Sequence, residues 1–122
     1  MCLSAYATLP AANIERAKKF YSEKLGLNPE SVEADGNLHY QCEGTGFLVY
    51  PSQYAGTAKN TAIGFRTDNI EHEMRELRSR GVVFEEYDMP GLKTVHGLAS
   101  TGNIKAAWFK DSEGNILAIN QM

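Results

Sequence analysis

Apolar and polar residues follow two periods along this chain, and the periods alternate. Between Asn13 and Leu27, Ile14, Ala17, Phe20, Tyr21 and Leu25 fall on one stripe at three- and four-residue spacing, the mark of an amphipathic helix. Asn13 suits the N-cap, and Gly26 suits the position after the last turn. The triplet Asn13-Ile14-Glu15 returns as Asn69-Ile70-Glu71, where Met74 and Leu77 continue a second stripe and Gly81-Val82 ends it. Asp68 followed by Glu71 resembles a capping box with Asp68 as the cap.

Around the helices the pattern is that of strands. Ser4–Leu9 precedes the first helix and Thr61–Arg66 the second. In the first half, Leu38–Cys42 and Phe47–Tyr50 flank the turn residues Glu43-Gly44-Thr45-Gly46. In the second, Ile104–Lys110 and Ile116–Asn120 flank Asp111-Ser112-Glu113-Gly114-Asn115, whose short polar side chains bond their own backbone. Each half therefore reads as strand, helix, then two or three strands. This predicts one α+β domain over residues 1–122, with module one at 1–52, a link at 53–60 and module two at 61–122. One such module would leave a sheet face bare, and two packed together could bury it. The stretch Pro90–Asn103 has no counterpart in the first half and reads as a long loop that is functional or mobile.

Composition narrows the function without naming it. Hydrophobic residues make up 43% and charged residues 22%, ordinary for a globular domain. A net charge of −3 argues against nucleic acid as the main partner, because phosphate binding wants a basic face. No apolar run approaches the roughly 18 residues of a membrane span, so no membrane is expected as a partner. Met1–Tyr6 lacks a basic region followed by a long apolar one, and so does not read as a secretory signal. Cys2 and Cys42 belong to no metal-type cluster and read as reduced thiols of a cytoplasmic protein. His39, His72 and His96, the only three histidines, form no two-histidine motif at ligand spacing.

Three stretches, "NIERAKKFYSEKLGL", "DNIEHEMRELRSRGV" and "WFKDSEGNILAI", together resemble the vicinal-oxygen-chelate superfamily. This group includes glyoxalases, extradiol dioxygenases and the fosfomycin- and bleomycin-resistance proteins. The last stretch resembles the ending F-x-D-P-[DE]-G-N-x-x-E-[LI], with Ser112 where proline is usual. The resemblance covers essentially the whole chain. It implies two tandem βαβββ modules curled into a half-open barrel with a central cleft, and a homodimer.

Metal-using members carry His, Glu, His or Gln, and Glu on the first and last strands of each module, a donor set suited to a Lewis-acidic divalent cation. Carried over residue by residue, these positions fall at Tyr6, Val49, Ala62 and Ala118. A shift of one at Val49 or Ala62 offers Leu48, Tyr50, Thr61 or Ile63, none of which restores a site. The chain therefore resembles a metal-free branch, with no metal and no cofactor expected.

If those positions face a cleft, Tyr6, Val49, Ala62 and Ala118 line it. Phe47, Thr8 and Ser4 share a face with them by strand periodicity. Trp108 lies on the adjoining strand, and His96 lies in the loop that could close the mouth. Such a lining suits a partly hydrophobic or aromatic small organic molecule. Three functions stay open. One is a small-molecule binding protein of the bleomycin-resistance type. Another is a glyoxalase-like lyase or isomerase, or a dioxygenase-type enzyme, for which Lys93, His96 and Ser100 offer acid–base groups. The third is a domain that serves oligomerisation or protein contacts.

Overall fold

The computed structural model describes residues 4–122; Cys2 lies outside the described residues. The elements run β1 (Ala7–Ala11), α1 (Ile14–Leu25), β2 (Ser31–Val32), β3 (Leu38–Cys42), β4 (Thr45–Pro51), β5 (Thr61–Arg66), α2 (Ile70–Ser79), β6 (Asp88–Met89), β7 (Leu92–Val95), β8 (Leu98–Thr101), β9 (Ile104–Lys110) and β10 (Ile116–Gln121). By their contacts the residues form two units. One runs up to Lys59 and also takes in Asp111–Asn115; the other holds Asn60–Lys110 and Ile116–Met122.

The first unit is a four-stranded sheet in the order β1-β4-β3-β2, with β1 parallel to β4 and the rest antiparallel. Asn13 caps α1: its side-chain oxygen accepts from the Arg16 N–H at 3.0 Å, and Gly26 closes the helix in the left-handed region. Helix α1 buries Ala17 and Tyr21. The Tyr21 ring meets Tyr40 at 5.4 Å and Phe47 at 5.8 Å, and Tyr40 stacks on Phe47 at 4.8 Å. Phe47 and Val49 share this helix-side face with Leu9 and Leu38, their register partners or alternates.

The second unit repeats the plan. Strands β5, β10, β9 and β8 stand in the same relative order as β1, β4, β3 and β2, and β7 and β6 extend the sheet beyond β8. Helix α2 buries Ile70, Met74 and Leu77. Its cap is Asn69, whose side-chain oxygen accepts from the His72 N–H at 3.1 Å, rather than the expected Asp68. Asn13 and Asn69 thus do the same work in the two modules. The helix-side face of the sheet carries Leu117, Ile119, Ala107 and Phe109, with Phe84 edge-on to Phe109 at 5.7 Å.

Two expectations need correction. The first strand begins at Ala7, not Ser4, and runs to Ala11. Its proline is tolerated because β1 is an edge strand, where a missing N–H breaks no central ladder. The expected loop Pro90–Asn103 is instead mostly the hairpin of β7 and β8, paired Thr94 with Ala99 and Val95 with Leu98. Thr94, Gly97 and Ala99 are buried there, so the hairpin is part of the sheet and not a cover for it. Cys42 is free and half-buried, and burial pushes its thiol up.

Candidate functional site

The side chains that a ligand could reach follow from strand alternation, since residues on the face opposite the helix are not needed to pack α1 or α2. In the first unit this face carries Thr8, Leu48 and Tyr50, with His39 opposite Leu48 in register. Thr8, Leu48, Tyr50 and Pro51 border an open hollow of ≈ 500 Å³, with Asp35 and Asn37 at its edge. Asp35 accepts from the Asn37 N–H at 3.1 Å, fixing that turn. A second hollow of ≈ 430 Å³ is bordered by Tyr6, His39, Gln41 and the enclosed edge of Phe47. Tyr6 precedes β1 and is 62% exposed.

The structure therefore separates the expected first-unit residues. Tyr6 is open to solvent beside a hollow. Val49 and Phe47 are 1% and 3% exposed and turn toward α1, so neither side chain faces the open side of the sheet. The register is one residue away from the expected one. The physical reason is the turn: Cys42 pairs with Thr45, leaving only Glu43-Gly44 as the loop, whereas the second hairpin spends five residues, Asp111–Asn115, between Lys110 and Ile116. Aligning the two hairpins on the residues after the turn misplaces β4 by one. Pairing shows the equivalence directly: Leu48 sits beside Thr8 on the parallel neighbour as Ala118 sits beside Gly64.

In the second unit two expected residues, Trp108 and Ala118, stand together with Gly64. Trp108 is the register partner of Ala118 on β10, and Ala118 is the partner of Gly64 on β5, so all three share the helix-free face. Gly64 is exposed and Trp108 half-buried, while Ala118 is enclosed, 6% exposed. Tyr87 stands edge-on to Trp108 at 5.5 Å, an aromatic neighbour that periodicity did not reveal because it lies outside any long strand. Ala62 is exposed and is the extra residue of a bulge in β5, between the pairs Ile116 with Thr61 and Leu117 with Ile63. His96 does not join this group. It occupies the β7–β8 turn and borders hollows shared with α2, on the helix side. Lys93 and Ser100 lie on separate strands of the same hairpin and have no shared reacting geometry with it.

Among the described residues, no group of three or more His, Cys, Asp and Glu side chains is placed to hold a metal ion. On the helix-free face of the first unit, His39 pairs with Glu33. The other strongly organised carboxylates, Asp111 and Glu113, are bound up in the β9–β10 turn. Asp111 accepts from the Tyr21 hydroxyl at 2.6 Å and from the N–H groups of Glu113 and Asn115 at 2.9 Å. Glu113 receives the Arg16 guanidinium fork at 2.8 and 3.0 Å, the Asn13 N–H at 2.9 Å and the Ser112 hydroxyl at 2.8 Å. Burial alone would raise the Glu113 carboxyl, but these donors outweigh it and hold it at about 2. Burial, then the Asp111 charge, pushes the Tyr21 hydroxyl well up. This cluster fastens the turn to α1 and occupies both of its carboxylates.

No family model matches the chain, and no curated protein matches it. Solved structures do. UcmS2 superposes with a TM-score of 0.75 at 17% identity, covering 98% of each chain. TnmS3, an antibiotic binding protein from Streptomyces sp. CB03234, superposes with a TM-score of 0.63 at 22% identity, covering 99% of this chain and 98% of that one. A Bacillus anthracis protein assigned to the glyoxalase family gives 0.73 at 16% identity, covering 99% and 97%. The chain thus has the glyoxalase/bleomycin-resistance fold, two tandem βαβββ modules, as the sequence motifs implied.

Proposed function

We propose that this protein binds a small, partly hydrophobic or aromatic organic molecule on the helix-free sheet faces, without a metal ion. The observation that carries the reading is the chemistry of the positions that metal-using members fill with His and Glu. Here they hold Tyr6, Leu48, Ala62 and Ala118, and none offers an imidazole or a carboxylate. In their place stand an indole with an aromatic edge neighbour, two small residues beside it, and the Leu48–Tyr50 hollow. Such surfaces suit flat or apolar ligands with few polar groups. The likeness to a protein described as antibiotic binding supports the same class of function. The contact residues of this reading are Tyr6, Leu48 and Tyr50 on the first unit's face, and Ala62, Trp108 and Ala118 on the second unit's face. Phe47 and Val49 support the sheet from behind.

Trp108 is the only tryptophan, so its fluorescence reports on the site directly. A panel of neutral and cationic planar aromatic compounds should contain members that quench it saturably and raise the melting temperature. Trp108→Leu should weaken that thermal shift. If no compound quenches or stabilises, binding is not what these faces do. The superfamily resemblance also supports a homodimer in the cytoplasm, and light scattering should return twice the chain mass.

A further inference from the structure

On the helix side of the second unit, α2 and the β7–β8 hairpin form a feature that the proposed function does not use. The hairpin turn is only two residues, His96 and Gly97, with φ of 53° and 81°, and Val95 pairs with Leu98 across it. Turns with both central residues at positive φ usually hold Asn-Gly, so a histidine here sits in a sparsely populated conformation. The surroundings hold it there. Glu86 accepts from the Gly97 N–H at 2.9 Å and from the Thr94 hydroxyl at 2.6 Å. Arg78 donates one guanidinium N–H to the His96 carbonyl, while its plane lies over the Phe84 ring at 5.1 Å.

These contacts immobilise the Arg78 guanidinium and use one of its five N–H donors. Arg75 lies one turn earlier on the same helix, and among the described residues its guanidinium has no carboxylate in ion-pair reach. Two acids bind other partners while still feeling these charges: Glu71 holds Lys105 Nζ at 2.9 Å and feels Arg75, and Glu86 accepts from the hairpin backbone and Thr94 and feels Arg78. Met74, Arg75, Arg78, Val95, His96 and Leu98 border a hollow of ≈ 340 Å³, with Glu71 at its rim. Two guanidiniums and an imidazole thus stand beside an apolar floor that includes Val95, 62% exposed. Glu71 and Glu86 offset the two charges, so what the hollow offers an anion is guanidinium geometry and not a net positive field.

We infer that this hollow binds an organic monocarboxylate with a short apolar tail. The guanidinium plane matches a carboxylate's two oxygens, and Arg78 offers it already fixed in place. Met74, Val95 and Leu98 take the tail, which is why a bare inorganic anion would not suffice. The inference does not depend on the reading of Trp108 and stands or falls separately.

Octanoate is the probe, with octanol (tail without charge), acetate (charge without tail) and inorganic phosphate as comparisons, followed by amide shifts of ¹⁵N-labelled protein. Octanoate should move the Arg75, Arg78 and Gly97 amides saturably, and the three comparisons should bind much more weakly. Arg75→Gln, a change at an exposed side chain, should weaken octanoate by about tenfold, the loss expected of one charge-assisted hydrogen bond. Val95→Ser should weaken it with the charges intact. No saturable shift at these amides, octanol binding as tightly as octanoate, or unchanged affinity in both variants would each overturn the assignment.

Discussion

At the scale of single residues, the tightest chemistry in this protein is structural. Glu113 is enclosed while its partner Arg16 is 54% exposed, so the pair is only partly shielded from water. Glu113→Gln should therefore destabilise by about 2 kcal/mol, below the value for a fully buried pair, as read from urea unfolding midpoints. The pH dependence has a definite sign. The Glu113 carboxyl is depressed from 4.5 to about 2, so its contribution is complete above pH 4.5 and fades as pH falls toward 2. The wild type and Glu113→Gln should then differ in stability at pH 6 and converge near pH 2. A difference that stays constant across that range would assign the effect to packing instead. Asp111, Glu113 and Asn115 were legible in the sequence as turn formers, and they are that. Their partners were not legible, because Tyr21, Arg16 and Pro10 lie some ninety or more residues away and no local pattern encodes such pairing.

At the scale of elements, both helices, the Asn13 cap and the final hairpin follow from periodicity and capping chemistry, since those signals are local; the second cap is Asn69, one residue after the expected Asp68. The β7–β8 hairpin did not follow. Val95-His96-Gly97-Leu98 hides its turn, because His-Gly lacks the asparagine that usually announces one. The same element carries a test. A Cβ on Gly97 would lie 2.8 Å from the Phe84 Cβ, at a φ that L residues avoid. Gly97→Ala should cost about 2 kcal/mol or more in thermal or chemical unfolding, combining overpacking with backbone strain. His96→Asn, by contrast, should be neutral or mildly stabilising, because asparagine accepts positive φ more readily than histidine does. If His96→Asn destabilised by more than Gly97→Ala, the turn geometry described above would be wrong. The one-residue slip in β4 has a similar origin. A two-residue and a five-residue loop look alike in composition, yet they place opposite side chains on the open face.

At the scale of the whole molecule, the fold was readable because the order and spacing of three degenerate motifs are jointly specific. The ligand is not readable, because helix-free faces are free to vary where cores are not. A metal-independent reading has a plain check: Ni²⁺, Mn²⁺, Zn²⁺ and Fe²⁺ should leave the melting temperature unchanged, whereas a stoichiometric ion with a stabilising shift would favour an enzyme. The first unit is not contiguous in the chain, since its Tyr21, Arg16 and Asn13 groups find their partners only at Asp111–Asn115. When a ribosome has released the first fifty-nine residues, those groups still face water, and they stay so until Asp111–Asn115 emerge. A severed amino-terminal half should accordingly be poorly ordered alone, and adding the remainder in trans should restore it. Completion of the first unit thus waits on the β9–β10 turn, and a stop codon before Asp111 would spoil the half that was synthesised first.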